Sequence, residues 1–167
     1  GSPKSGFAPL DLADLCATFC ELYEPAAMDA GHSLTFQPPE TPLPKVLGDR
    51  GLLGQVLANL IENALRHTPE GSKVQISLTQ SEGGVTLCVA DDGPGVPESE
   101  RGLVLRRLYR MDRSRTTPGA GLGLSLVSSI AALHGAEVAL KDNSPGLRVE
   151  LTFPVPQGTG DHDPRTE

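Results

Sequence analysis

Polar side chains suited to binding a metal ion and phosphate lie at regular intervals in the middle of the chain. Between residues 52 and 65 the apolar residues recur three and four positions apart, which is the period of an amphipathic helix. Gln55, Asn59, Asn63 and Arg66 line one margin of the apolar arc. Asparagine is a poor helix former, so two of them in mid-helix need an explanation. An amide oxygen suited to Mg²⁺ and a guanidinium suited to phosphate would provide one, whereas the plain alternative is a helix edge that faces water.

A carboxylate followed by glycines stands where an alternating, strand-like run ends. The run Val85–Ala90 leads into Asp91-Asp92-Gly93-Pro94-Gly95. A carboxylate in this position can accept a hydrogen bond from the exocyclic amine of a base, and glycines let a ligand approach the backbone. An ordinary Asp/Gly turn would have the same composition, so this motif alone leaves both readings open.

A glycine-rich run, Gly119-Ala120-Gly121-Leu122-Gly123-Leu124, directly precedes an apolar helix-like segment. Glycines there expose backbone N–H groups and place phosphate at a helix N-terminus, where the partial positive charge lies. The run lacks the Lys-Ser/Thr of a P-loop and does not follow a strand in a βαβ unit, so both standard nucleotide motifs fit poorly. Six arginines crowd the fifteen positions upstream, either as a phosphate-facing group or as a solvated helix face: Arg101, Arg106, Arg107, Arg110, Arg113 and Arg115.

Three helices and about five strands are predicted around these motifs. The predicted helices are Leu10–Ala30, a second that starts at Gly48 or Asp49 and ends before Thr68-Pro69, and Leu124–His134. The predicted strands are Ser33–Phe36, Lys73–Thr79, Val85–Ala90, Ala136–Lys141 and Arg148–Phe153, with a proline-rich loop over Gln37–Leu47. Mostly antiparallel strands with helices on one sheet face make an α+β two-layer sandwich.

The composition fits one globular domain and argues against several kinds of partner. The 167 residues are 38% hydrophobic and 21% charged, and no apolar run reaches the roughly 18 residues that a membrane helix needs. With 14 Lys+Arg against 21 Asp+Glu, the net charge of −7 argues against broad binding to nucleic acid or anionic lipid. Cys16, Cys20 and Cys88 lack the spacing of a metal site and predict buried free thiols.

Together and in this order, the three motifs are far more specific than any one of them. The run Gly48–Pro69 resembles the N box of the ATP-binding catalytic domains of bacterial two-component sensor histidine kinases. The runs Asp91–Pro97 and Gly119–Leu124 resemble their two glycine boxes, and Leu108–Arg115 looks like their lid segment. The resemblance covers Phe7–Pro154 and implies membership of the GHKL superfamily of ATPases and kinases.

The resemblance implies the Bergerat ATP-binding fold, an about five-stranded mixed sheet with about three helices on one face and the nucleotide beneath a lid. It implies ATP and Mg²⁺ as cofactors, with Asn63 as the metal ligand and Asp91 as the acceptor for the adenine amino group. The residues implied to bind the cofactor are Asn59, Asn63, Arg66, His67, Asp91, Gly93, Gly95, Gly119, Gly121, Leu122, Gly123 and Leu124.

The activity that the resemblance implies is that of a protein histidine kinase, with Asn59, Arg110 and Arg115 as the catalytic residues. Arginines near phosphate suit phosphoryl transfer, where positioning and charge neutralisation supply most of the catalysis. Leu105 and Leu108 stand where the family usually has lid phenylalanines, which puts the packing of the lid in doubt. Asn59 stands where hydrolases of this fold have a glutamate, and an amide cannot act as a base, which disfavours a hydrolase.

The phosphate acceptor is expected outside this chain. His32, His134 and His162 are not in a His-Glu or His-Asp helix context, so a structural or solvent role is expected for them. The implied partners are the protein's own dimerisation and phosphoacceptor domain in a full-length homodimer, and the receiver domain of a response regulator, with no nucleic acid and no membrane contact. Two alternatives stay open: a degenerate or regulatory nucleotide-binding or protein-docking module, and an anti-sigma-type serine kinase of the same fold.

The ends of the chain predict an excised piece of a longer protein. Gly1-Ser2 reads as a cloning scar, so residues 1–6 are predicted as scar and linker, and residues 7–156 as the catalytic domain. Residues 157–167 are polar and acidic and predict a disordered tail. The resemblance implies a cytoplasmic domain and is compatible with a parent protein that is an inner-membrane bacterial sensor kinase.

Overall fold

Within the residues that the structure describes, the chain forms three helices, a five-stranded sheet and a separate two-stranded ribbon. The structure is a computed structural model, and it describes residues 6–93, 122–143 and 145–155. The helices are α1 (Leu12–Asp29), α2 (Arg50–Arg66) and α3 (Leu122–Leu133). The strands are β1 (Ala8–Leu10), β2 (Ser33–Gln37), β3 (Val46–Gly48), β4 (Lys73–Ser81), β5 (Gly84–Asp91), β6 (Glu137–Asp142) and β7 (Leu147–Phe153).

The five-stranded sheet has the order β2-β4-β5-β7-β6. Strand β2 pairs with β4 in parallel, and the other three pairs are antiparallel. Along β4 the apolar residues Val74, Ile76 and Leu78 are buried, while Lys73 before them and Gln75 between them are exposed. One sheet face therefore lies against the helices and the other faces solvent, which confirms the predicted α+β sandwich with a mixed sheet.

The two-stranded ribbon is not predicted from the sequence. Strands β1 and β3 pair antiparallel, with Leu10 opposite Val46 in the register. Both of these side chains are buried in the core. The sequence predicts a loop over Gln37–Leu47, but its last two residues belong to β3. Strands of three residues are too short to show the period-2 alternation from which strands are predicted.

Helix α1 lies close to α2 because a glycine in α2 leaves room for a ring. A Cβ atom on Gly54 would lie 2.8 Å from Cζ of Phe19, so any larger residue would displace the ring. At the N-terminus of α2, the Asp49 carboxylate accepts a hydrogen bond from the Leu52 N–H at 3.0 Å. This cap satisfies one of the N–H groups that have no partner within the helix.

The C-terminal end of α3 is attached to the N-terminal end of α2. The Asp49 N–H donates to Nε2 of His134 at 3.2 Å, and Nδ1 of the same ring lies 2.8 Å from the Ile130 carbonyl oxygen, to which it donates. Helices α2 and α3 also pack against each other, and since the end of α3 lies at the start of α2, they run in opposite directions. The 12 residues of α3 span about 18 Å at 1.5 Å per residue, so α3 begins beside the half of α2 that carries Asn59 and Asn63.

The three cysteines are free thiols, as predicted. Cys16 and Cys88 are buried, but Cys20 is only half-buried, so the expectation of burial holds for two of the three. Burial also raises the pKa of the Cys16 thiol above its usual range, which keeps that thiol protonated.

The ends of the chain are described only in part. Residues 1–5 of the predicted linker and the predicted tail over residues 157–167 lie outside the described residues, so these boundaries stay predictions. Among the described helices, none combines the length and the apolar character that crossing a lipid bilayer requires.

Candidate functional site

Asp91 is the last residue of β5 and continues the stripe of side chains that faces the helices. Val85, Leu87 and Val89 are buried on that face, and alternation along a strand places Asp91 in line with them. Its exposed fraction is only 8%. Asp92 is the next residue and is exposed. The strand period thus distinguishes the two neighbouring carboxylates.

One carboxylate oxygen of Asp91 is held by the backbone. Oδ1 accepts hydrogen bonds from the N–H of Gly93 at 2.9 Å and from the N–H of Leu147 at 3.3 Å. No described residue donates to Oδ2. Oδ1 of this buried carboxylate is thus anchored, while Oδ2 has no donor among the described residues. Oδ2 can therefore accept a hydrogen bond from a ligand amine.

Asp92 has a different task. Its Oδ1 accepts a hydrogen bond from the Lys73 N–H at 2.7 Å, and its own N–H donates to the Lys73 carbonyl oxygen at 3.2 Å. These bonds tie the end of β5 to the start of β4. Asp92 is therefore a strand-end pairing residue and is not directed toward the helices.

Gly93 is buried and lies directly against the segment that follows α2. A Cβ atom on Gly93 would lie 2.8 Å from Cγ2 of Thr68 and 3.3 Å from Oδ1 of Asp91. The backbone at Gly93 therefore has no room for a side chain. This contact brings the end of α2, with Arg66 and His67, next to the Asp91 carboxylate.

Helix α2 presents its predicted polar residues along one side. Asn59 and Asn63 are half-buried, and Arg66 and His67 are exposed. Positions three and four apart lie on the same helix face, so the two amides and the guanidinium are neighbours. Because α3 begins beside this part of α2, the end of the second glycine box, which is the start of α3, also lies on the side of the two asparagines.

Glu62, in the same turn as Asn63, is held by α1. The Tyr23 hydroxyl donates a hydrogen bond to Oε2 of Glu62 at 2.6 Å. Burial, together with the hydrogen bond and negative charge of Glu62, raises the pKa of Tyr23 to about 12. The hydroxyl therefore stays a donor over the physiological pH range, and the contact fixes one side of α2 near Asn63.

Two residues next to Asp91 are not found from the sequence motifs. The Asn143 side-chain amide donates to the main-chain oxygen of Asp91 at 2.7 Å, and Gly146 approaches the same oxygen so closely that a Cβ atom would overlap it. Gly146 has φ 109°, a conformation that favours glycine. The β6–β7 turn thus supports Asp91 from the far side. Only the positive-φ glycine had a signal in the sequence, as part of an Asn-Ser-Pro-Gly turn.

The remaining predicted site residues are described in part or not at all. Leu122 and Gly123 begin α3, and Leu124 is half-buried against the core. Gly95, Arg110, Arg115, Gly119 and Gly121 lie outside the described residues.

The donors fit a nucleotide with a magnesium ion. Among the described residues no group of three His, Cys, Asp or Glu side chains could hold a metal ion. Mg²⁺ bound with a nucleotide, however, takes most of its ligands from phosphate and water and needs only one or two protein oxygens. The half-buried amide of Asn63 can supply one.

Comparison with known proteins identifies the family of this chain. Residues 48–157 match the family described as histidine kinase-, DNA gyrase B-, and HSP90-like ATPase. The chain is 34% identical over 150 residues to the adaptive-response sensory kinase SasA of a Synechocystis strain, which covers 88% of this chain and 39% of SasA. The chain spans 20–39% of the length of the curated relatives that it matches first.

Solved structures give the same result. The catalytic domain of the histidine kinase ThkA superposes with a TM-score of 0.75 at 27% identity, covering 90% of this chain and 99% of that domain. Full-length ShkA in complex with AMPPNP superposes with a TM-score of 0.74 at 33% identity, covering 89% of this chain and 31% of ShkA. The chain therefore belongs to the histidine kinase-, DNA gyrase B- and HSP90-like ATPase family, and its fold is that of the ATP-binding catalytic domain of sensor histidine kinases.

Proposed function

We propose that this domain binds Mg²⁺-ATP and donates the γ-phosphoryl group to a histidine on a dimerisation domain outside this chain. The observation that carries the proposal is the Asp91 carboxylate, buried at 8% exposure, with one oxygen anchored by two backbone N–H groups. Its other oxygen, Oδ2, would accept a hydrogen bond from the adenine amino group. Gly93, where a side chain has no room, would let the base lie against the backbone.

The triphosphate would lie between α2 and the start of α3. Asn63 would supply an oxygen to Mg²⁺, with Asn59 beside it, and Arg66 would contact phosphate. His67 would lie beside the nucleoside. Gly119, Gly121 and Gly123 would let the backbone approach the phosphates, and Leu122 and Leu124 would contribute to the same box. Gly95 would extend the space that Gly93 leaves for the base.

The chemistry of the proposed step is phosphoryl transfer. A neutral imidazole nitrogen of the acceptor forms the new N–P bond, the bond between the γ-phosphorus and the β–γ bridging oxygen breaks, and ADP leaves. Mg²⁺ would neutralise phosphate charge, and Arg110 and Arg115 would add positive charge at the γ-phosphoryl oxygens. Asn59 would position phosphate without acting as a base, so little hydrolysis of ATP is expected.

We expect the acceptor outside the described chain, with the exposed His67 assigned to the nucleoside. His32 and His134 are buried, and both ring nitrogens of each lie within hydrogen-bond distance of a protein atom. Neither ring can present a free nitrogen to ATP. The partners we propose are thus a dimerisation and phosphoacceptor domain of the parent protein and, after it, the receiver domain of a response regulator. The proposed location is the cytoplasmic side of an inner-membrane sensor kinase.

Calorimetric titration of the 167-residue chain with a non-hydrolysable ATP analogue, with and without Mg²⁺, tests the binding proposal. Saturable, Mg²⁺-dependent binding is expected, and no saturable binding at millimolar nucleotide would refute it. The parent's phosphoacceptor domain, incubated with this chain and ATP, tests the transfer. We expect acid-labile phosphohistidine on the acceptor alone. Acid-stable phosphoserine would instead identify a serine kinase.

The two lid arginines are tested in the same assay. Replacing Arg110 and Arg115 by Ala should reduce transfer to the acceptor more than it reduces binding of adenosine, because only the triphosphate carries the charges they would neutralise. Equal losses in both measurements would assign the two arginines to the fold and not to the phosphates.

A further inference from the structure

A buried histidine outside all three motifs connects two segments of the chain. His32 lies just before β2 and is 8% exposed. Its Nδ1 lies 3.0 Å from the Ala30 carbonyl oxygen. Its Nε2 lies 2.8 Å from Oγ1 of Thr68 and 3.2 Å from the Thr68 carbonyl oxygen. The ring thus joins the end of α1 to the segment that follows α2.

The hydroxyl of Thr68 lies between the His32 ring and the last turn of α2, 2.6 Å from the Ala64 carbonyl oxygen. With the ring proton on Nε2, the ring donates to Oγ1 and the hydroxyl donates to Ala64. With the proton on Nδ1, the ring donates to the Ala30 carbonyl oxygen and the hydroxyl donates to Nε2, so either tautomer keeps one hydrogen bond between His32 and Thr68. The next residues of this segment are tied to the same place, since the Gly71 N–H donates to the Gly31 carbonyl oxygen at 2.8 Å. Thr68 is therefore held by α1, through His32, and by the last turn of α2.

The methyl group of Thr68 is the part that contacts the nucleotide site. It lies so close to Gly93 that a Cβ atom there would be only 2.8 Å away. Gly93 in turn donates its N–H to Oδ1 of Asp91. A continuous series of contacts therefore runs from the His32 ring through Thr68 and Gly93 to the carboxylate that we assign to adenine.

We propose that His32 is a positioning residue for adenine binding, which acts by holding Thr68 against Gly93. The inference rests on the proposed assignment of Asp91 and Gly93 to the base. Without the bond from His32, the segment after α2 must be ordered when the nucleotide binds, and that ordering reduces affinity. A neutral hydrogen bond corresponds to about a three- to tenfold change in affinity, so His32→Phe should weaken ATP-analogue binding by that factor.

A second buried histidine provides the matched control. His134 is 6% exposed and has the same kind of ring contacts, but it lies at the opposite end of α2, against Asp49. His134→Phe should lower the thermal midpoint to a similar extent and leave affinity for the analogue within about twofold at a temperature where both variants are folded. His32→Gln, whose amide offers both a donor and an acceptor toward Thr68, should recover most of the lost affinity.

A double-mutant cycle separates positioning from general destabilisation. Thr68→Val keeps the methyl group and removes Oγ1, so it should weaken binding as His32→Phe does, and the double variant should be no weaker than either single one. Thr68→Val also carries the test if the phenylalanine variant does not fold. In a nitrogen–proton spectrum of the free chain, both variants should shift the Gly93 amide and speed its hydrogen exchange.

Two results would overturn the inference. One is a loss of affinity in His32→Phe that is no larger than in His134→Phe, and the other is full additivity in the cycle. Asp91→Asn, measured beside them, distinguishes this failure from that of the proposed function. If Asp91→Asn weakens binding while His32→Phe does not, the adenine assignment stands and only the positioning role falls. If Asp91→Asn has no effect, the assignment of the base is itself wrong.

Discussion

Asp91→Asn changes a single functional atom at the proposed adenine contact and keeps the size of the side chain. The new amide oxygen can keep the hydrogen bonds from Gly93 and Leu147, which Oδ1 accepts at 2.9 and 3.3 Å. The NH₂ group must then replace Oδ2 and would direct its protons at the amino group of adenine. Two donors would face each other in a buried position where a charged acceptor had been.

The size of the effect follows from the type of bond that is lost. A hydrogen bond to a charged group contributes about 1.5–3 kcal/mol. At about 1.4 kcal/mol per factor of ten, affinity for ATP should fall by roughly ten- to a hundredfold. The anchoring hydrogen bonds of Asp91 are kept in this variant. The change in the free energy of unfolding should therefore be much smaller than the change in the free energy of ATP binding.

Calorimetric titration with a non-hydrolysable ATP analogue measures this loss, and Asp92→Asn is the control. Asp92 is exposed and only accepts a backbone bond from Lys73, which an amide oxygen can also accept. Its affinity for the analogue should therefore equal that of the unchanged chain. A large loss in Asp92→Asn with none in Asp91→Asn would refute the reasoning from strand alternation.

The base itself supplies a complementary test. Inosine triphosphate has a carbonyl oxygen where ATP has the amino group, and the NH₂ group of Asp91→Asn can donate to that oxygen. The preference for ATP over inosine triphosphate should therefore shrink or reverse in this variant. Equal losses for both nucleotides would mean that Asp91 supports the pocket without contacting the base.

Three further predictions concern the surroundings of the site. Asn63→Ala should remove the part of ATP affinity that depends on Mg²⁺ and leave adenosine binding unchanged, as titrations with and without Mg²⁺ will measure. Gly146→Ala should lower the free energy of unfolding by more than about 2 kcal/mol and weaken ATP binding, because its Cβ overlaps the Asp91 carbonyl oxygen. Gly71→Ala, also at positive φ but with no atom within 4 Å of its Cβ, should show only the smaller cost of strain in denaturant titration. Tyr23→Phe should lower the free energy of unfolding by about 1 kcal/mol at pH 8. The pKa of Tyr23 is raised to about 12 in the fold, so wild-type stability should decline, and this difference shrink, as the pH rises above 10.

The residues that we propose to contact the nucleotide could be predicted from the sequence because their residue types and spacing carry a signal. The alternation of Val85, Leu87 and Val89 predicts that the next residue in that series, Asp91, faces the helices. The spacing of Asn59 and Asn63 places both on one side of α2. The core elements were found for the same reason, since α2 and the hairpin of β4 and β5 have strong and distinct periods.

The surroundings of Asp91 could not be predicted, since they come from distant parts of the chain. Asn143 and Leu147 are 52 and 56 residues away from it in sequence. Thr68 reaches Gly93 only because the segment after α2 passes over the end of β5. A local sequence pattern indicates which face of its own helix or strand a side chain lies on. It does not indicate which loops from distant parts of the chain contact that side chain.

The same distinction explains why none of the sequence motifs includes His32. A lone histidine beside a glycine has no periodicity, and its role depends on the position of Thr68, a residue that belongs to another loop 36 positions later. In our proposal the polar residues with recognisable spacing contact the nucleotide, while residues without such spacing hold them in place. A substitution at His32 would look neutral by sequence pattern alone, yet its ring is connected to the Asp91 carboxylate through Thr68 and Gly93. The comparison of His32→Phe with His134→Phe therefore tests the nucleotide site through a residue that no motif contains.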